Sequence, residues 1–157
     1  MDKAAVIQKI IETLQAELET YTRAAKFSHA EATAEENRAE NKYDTRGLEA
    51  SYLAAGQANK VMELEASLET FEGLKDQPVA DALEIGSLVE LQQDGFVEWY
   101  FLGPTAGGTE IETDDTEVLV ITPESPLGSQ IMGLEAGAKA SLELGGRTQK
   151  AVVQAVL

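Results

Sequence analysis

From residue 3 to about residue 38 the chain holds neither proline nor glycine, and Ile7, Ile11, Leu14, Leu18, Tyr21, Ala25, Ser28 and Ala32 recur at alternating steps of four and three. That spacing puts them on one stripe of a helix, the seam of a coiled coil. At the α-helical rise such a helix is roughly 50 Å long. Leu48, Tyr52, Ala55, Val61, Leu64, Leu68 and Phe71 form a second run of similar spacing. Asp44 or Thr45 can cap its start, while Gly73 and then Pro78 supply stop signals. Pairing Ile7 with Phe71 and Leu14 with Leu64 places the turn near residue 40, and two helices joined this closely run antiparallel. The seams turn alanine-rich toward that turn (Ala25, Ala32; Ala50, Ala54, Ala55), which lets the backbones approach. The sequence therefore predicts a coiled-coil hairpin over 1–75 whose tip lies near 36–46. An isolated pair of helices buries little, so its base is expected to lean on something else.

After the linker Lys75-Asp76-Gln77-Pro78 the pattern changes to period two and to turns. Ser87–Gln92 reads as a strand with Leu88, Glu90 and Gln92 opposite Val89 and Leu91. Asp94-Gly95 is a tight hairpin turn into Phe96–Leu102. The loop Gly103–Gly108 and an acidic run precede a strand at Glu117–Ile121. Ser125-Pro126 reads as the start of a short helix, with Ser125 as N-cap. Lys139–Leu144, a Gly145-Gly146 turn and Thr148–Val156 form the last hairpin. The fold class is α + β: the coiled-coil hairpin, then a small, mostly antiparallel sheet domain over 79–157.

Charge excludes some functions. The chain carries 12 Lys+Arg against 28 Asp+Glu. Residues 1–78 hold 9 basic and 15 acidic side chains, and residues 79–157 hold 3 and 13. Neither part offers the basic face that direct nucleic-acid binding needs. Charge steers such a protein toward a basic protein surface instead. The absence of cysteine removes disulfides, thiolate nucleophiles and Cys-based zinc sites. No run approaches the length of a membrane span and the start has no signal-peptide core, so a cytoplasmic location is expected.

Enzymatic motifs are thin. His29 is the lone histidine and reads as a solvent-facing helix residue. Gly103–Gly108 lacks the order of a phosphate cradle. Asp114, Asp115 and Glu117 lack calcium-loop spacing and read as an acidic loop. Trp99, Tyr100 and Phe101 read as core plus one exposed ring.

The stretch from Glu35 to Gly47 is different, because its charge and amide groups do nothing for folding. Glu36, Glu40 and Asp44 are spaced by four, which stacks carboxylates on one face if the segment stays helical. Such carboxylates are hard oxygen ligands that can share a Mg²⁺ ion with a partner. A solvated turn of good helix formers is the other reading.

The order of these parts, with Ile121-Thr122-Pro123-Glu124-Ser125-Pro126-Leu127-Gly128 and Ile131-Met132-Gly133-Leu134-Glu135-Ala136-Gly137-Ala138, resembles the bacterial GreA/GreB-type transcript-cleavage factors and their "IS..SPLG..LLG...GD" segment. The resemblance spans essentially the whole chain. It implies an FKBP-like C-terminal domain that docks on RNA polymerase, with Ser125, Pro126, Leu127 and Gly128 in the docking segment. It also implies a coiled coil that enters the polymerase secondary channel. There the tip carboxylates would help the polymerase active site hold a second Mg²⁺ and cleave backtracked RNA. The chain would then be no enzyme by itself, have no cofactor of its own, and share a metal only in the complex. The family's tip pattern is close to "GDLSENAEY". Counting back from the second helix lays Ala39-Glu40-Asn41-Lys42-Tyr43-Asp44 over it; Glu35-Glu36-Asn37-Arg38-Ala39-Glu40 is the other alignment. The Gly and the Ser-Glu-Asn order are absent. Glu40 and Asp44 rank first as acting and metal-sharing residues, with Glu36 next. Three functions stay open: a cleavage-stimulating factor, a channel-occupying modulator or inhibitor without cleavage, and a prolyl isomerase with a helical appendage. For the last, few aromatics are left for its pocket. Self-association of the free chain is left open.

Overall fold

The computed structural model describes residues 1–35, 38–113 and 116–157. Two long helices come first, α1 (Lys3–Thr33) and α2 (Arg46–Gly73). Then follow strands β1 (Leu88–Gln93), β2 (Phe96–Leu102), β3 (Glu110–Glu112) and β4 (Glu117–Ile121), the four-residue helix α3 (Gly128–Ile131), and strands β5 (Lys139–Leu144) and β6 (Arg147–Val156). In space the chain packs as two units, residues 12–69 and residues 1–11 with 70–157. None of the described helices is long and apolar enough to cross a membrane.

The larger unit is built on one six-stranded sheet in the order β3-β4-β2-β1-β6-β5. Its pairs are antiparallel except β2 with β4, which run parallel, a connection that period-two reading does not disclose. The short edge strand β3 was hidden in the acidic run. Asp94 and Gly95 both have positive φ, as do Gly145 and Gly146, the geometry of the tight hairpin turns the sequence announced.

Both faces of the central strands are covered. On one face Val89, Leu91, Tyr100, Leu102 and Ile121 pack with Leu83, Leu127, Ile131, Leu142 and Val153. On the other, Leu88 pairs across to Phe101 and Phe101 to Val120. Leu88 was expected on a polar face with Glu90 and Gln92, yet it is fully buried. Phe71, at the end of α2, meets Phe101 with ring centroids 6.0 Å apart. Lys9 Nζ donates to the Glu112 carbonyl at 2.6 Å. Val6, Ile7, Ile10 and Ile11 are buried in this same unit. The ends of the two helices are thus part of the sheet's core, which is what a hairpin with little burial of its own requires.

Ser87 and Gln93 are buried polar residues of this unit. Gln93, 7 % exposed, donates from Nε2 to Tyr100 Oη at 3.0 Å and to Glu98 Oε2 at 3.1 Å. Tyr100 donates in turn to Glu98 at 2.7 Å. Burial first, then the Glu98 carboxylate, pushes the Tyr100 phenol well above its ordinary value.

In the smaller unit the two helices lie side by side. Ala25, His29 and Ala32 of α1 line one cleft with Ser51, Ala54 and Ala58 of α2, and Lys60 Nζ sits 5.9 Å from the Tyr21 ring centroid. Antiparallel pairing brings these residues together. On α1 the predicted seam is observed except at Tyr21, which is exposed: Leu14 and Ser28 are buried, and Leu18, Ala25 and Ala32 are half-buried. On α2 the seam is Leu64 with Val61, Gln57, Ala54, Ala50 and Gly47, at steps of three and four. Leu48, Tyr52 and Ala55, read from sequence as seam, are exposed. The choice of the larger apolar residues shifted the phase by one position, because small residues hold the real contact there.

Candidate functional site

The candidate site is the connection between α1 and α2. Helix α1 stops at Thr33, short of the expected residue 38. The Thr33 hydroxyl donates to the carbonyls of His29 and Ala30, and the Ala34 N–H reaches only the Glu31 carbonyl at 3.4 Å. Beyond this point Glu35 and residues 38–43 are exposed, and closely spaced carboxylates repel one another. Glu36 lies outside the described residues.

Glu40 and Asp44 therefore sit on a loop, not on one face of a helix, and the expected stack of carboxylates is not formed by them. The loop is ordered by its own short polar side chains. Asn41 Oδ1 accepts the Tyr43 N–H at 2.8 Å, and the Asn41 carbonyl accepts the Asp44 N–H at 3.1 Å. Asp44 Oδ2 accepts the Glu40 N–H at 3.3 Å, and Oδ1 accepts the Arg46 N–H at 3.4 Å. The Arg46 guanidinium lies 3.5 Å from the same oxygen. The structure thus brings Glu40 and Asp44 together through a backbone N–H and a carboxylate. The N–H groups of Glu40 and Arg46, then the Arg46 guanidinium, hold the Asp44 carboxyl below its ordinary range. Thr45 precedes α2 and spends its hydroxyl on Glu49 Oε1 at 3.0 Å, so Asp44 takes over the capping of the Arg46 N–H.

Glu40 is exposed, as are Asn41, Lys42 and Tyr43. Lys42 Nζ lies 5.0 Å from the Tyr43 ring centroid. Among the described residues no group of three or more His, Asp or Glu is arranged to hold a metal ion.

Sequence reasoning missed Gln57. Its Oε1 is buried without a hydrogen-bond partner, beside a cleft of about 470 Å³ that Phe27, Leu53 and Ala50 also line. A polar residue at a seam position was the available signal.

The second candidate segment has the opposite character. Ser125 Oγ donates to the Thr122 carbonyl at 2.8 Å and accepts the Gly128 N–H at 3.0 Å. The Ser125 carbonyl accepts the Ser129 N–H. Ser125 therefore caps this turn, although the regular helix α3 begins only at Gly128. A Cβ on Gly128 would lie 2.0 Å from the Thr122 carbonyl oxygen. Leu127 and Gly128 are buried, and of the four residues only Pro126 is exposed. Gln130 clamps the segment to β5, accepting the Glu143 N–H at 2.7 Å and donating to the Glu143 carbonyl at 3.0 Å.

No family model matches the chain, nor does any curated protein. Solved structures do. GreA factor homolog 1 (Gfh1) of Thermus thermophilus shares 19 % identity over 94 % of each chain, with a TM-score of 0.38. Gfh1 of Thermus aquaticus shares 18 % over 96 % of this chain and 90 % of that one, at 0.40. A structure of the transcription factor Gfh1 shares 20 % over 93 % and 92 %, at 0.41. Two long helices, a short connection and a sheet domain follow one another along this chain.

Proposed function

We propose that the protein is a Gre-like transcription factor that binds RNA polymerase, passes its helical hairpin into the secondary channel and modulates cleavage of backtracked RNA through the tip. The observation that carries this reading is the connection at residues 38–45. It is exposed apart from the half-buried Asp44, is ordered by its own side chains, and is rich in polar groups. The motif resemblance at 121–138 and the acid excess, suited to a basic channel, support it further. Glu40 is the exposed carboxylate, and Asp44 is the positioning residue that fixes the loop. When bound in the complex, a Mg²⁺ ion of the polymerase would supply an activated water. This chain's part is to place oxygen ligands beside it, so it is not an enzyme alone.

The experiment is cleavage of RNA in stalled elongation complexes. Changing both Glu40 and Asp44 to Ala should abolish stimulation and leave polymerase binding nearly intact; unchanged cleavage removes these residues from the mechanism. One observation favours the second reading, occupation of the channel without cleavage: Asp44 already accepts the Glu40 and Arg46 N–H groups and has the Arg46 guanidinium 3.5 Å from Oδ1. In that case the parent chain itself slows the appearance of 3′ RNA fragments or leaves it unchanged.

A further inference from the structure

The cleft that Gln57 lines, inside the smaller unit, has a volume of about 470 Å³, within the range of small-molecule sites. Half-buried Ala24 of α1 and Ala50 of α2 line it together with Phe27 and Leu53. Those two larger side chains are 67 % and 56 % exposed. The small residues leave room between the helices, and an aromatic ring and an aliphatic side chain border it. Such a slot suits a flat apolar body that can lie against the Phe27 ring.

Among the described residues, Gln57 Oε1 is the one buried side-chain oxygen or nitrogen without a hydrogen-bond partner. A desolvated carbonyl left unpaired costs stability, which is why buried acceptors are ordinarily satisfied. Leucine or methionine would fill the same seam position without that cost, so packing of the hairpin does not call for the amide. The cleft also contains charged side chains, but they do not ask for an ion. Arg46 is paired with Asp44, Glu49 accepts the Thr45 hydroxyl, and Glu31 and Glu49 together disfavour an anion. What the cleft lacks is a single hydrogen-bond donor on an apolar, uncharged frame.

We propose that this cleft is a binding site for a neutral, flat heterocycle with a ring N–H, of the indole class, whose N–H donates to Gln57 Oε1 while its rings lie against Phe27 and Leu53. The site stands apart from the polymerase reading above, and neither needs the other. The test titrates the full chain with indole and with benzofuran, which share a shape although only indole carries an N–H. Indole should bind with a dissociation constant of about 1 mM or lower, moving the NMR resonances of Phe27, Ala50, Leu53 and the Gln57 side-chain amide. Benzofuran should bind roughly fivefold more weakly. Gln57→Leu should bring the two affinities together, with a thermal midpoint at or above the parent's. Phe27→Ala, at an exposed position, should weaken both probes alike. Absence of indole binding up to its solubility limit would overturn the proposal, leaving the amide satisfied by water alone. Equal affinity of the parent for both probes would overturn it too, as would a preference for indole that survives in Gln57→Leu. Should Gln57→Leu fail to fold, the parent's discrimination between the probes still decides.

Discussion

The connection at residues 38–45 and the turn at residues 122–131 are both rich in short polar residues, yet they spend them differently. In the turn, Ser125 ties the Thr122 carbonyl to the Gly128 N–H, Gln130 bonds to the backbone of Glu143 on β5, and Leu127 is buried in the sheet's core. In the connection, among the described residues, Asn41 and Asp44 bond within the loop and to the start of α2. A motif that holds architecture and a segment that presents chemistry can look equally conspicuous in a sequence. Burial and the destination of each hydrogen bond tell them apart.

That contrast breaks if stability follows the wrong residues. Phe71→Ala, at the junction of α2 with the sheet, should cost about 3–5 kcal/mol in chemical denaturation. Gly128→Ala should cost about 1–3 kcal/mol, because the added methyl must displace the Thr122 carbonyl. Loss of the Ser125 cap in Ser125→Ala should cost roughly 0.5–2 kcal/mol. If polymerase binding falls in that variant with no change in stability, the motif docks by direct contact and the contrast fails there. Glu40→Ala should stay within about 0.5 kcal/mol of the parent while altering activity.

The smallest effect expected is one of pH. The folded-state pKa of Asp44 is depressed, so the ordering it provides is complete above the ordinary carboxylate range, about 3.9. It is lost as pH falls through the lower folded-state value. The Glu40 and Arg46 amide resonances should shift together in that acid window, and an Asp44→Asn chain should lack the transition. A Glu40 amide that does not titrate would separate these two residues.

Much of the fold was legible because it follows from period. The α1 stripe, the strands at Phe96–Leu102, Glu117–Ile121 and Lys139–Leu144, and the two tight turns all match the structure. The errors fall where size misleads or where partners lie far off in sequence. Leu48 and Tyr52 look like core and face outward, while Gly47, Ala50 and Gln57 hold the seam. Leu88 alternates with polar residues yet is buried by segments remote in sequence. At the site, the position of the connection could be read, but its conformation could not. The spacing of Glu36, Glu40 and Asp44 left a helical face and a solvated turn both open, and hydrogen bonds among Glu40, Asn41, Asp44 and Arg46 decide for the loop.

The sequence by itself determined that two long helices precede a β-rich domain, that acidic side chains outnumber basic ones in both, and that carboxylates crowd the point where the helices meet. These follow from periodicity and composition, which are local properties. Only the tertiary structure decided which face of α2 is inside, that β2 and β4 run parallel, and that Asp44 is committed to its own loop. Each of those is settled by contacts between distant residues, where shape and hydrogen-bond satisfaction outweigh the intrinsic preference of any single side chain.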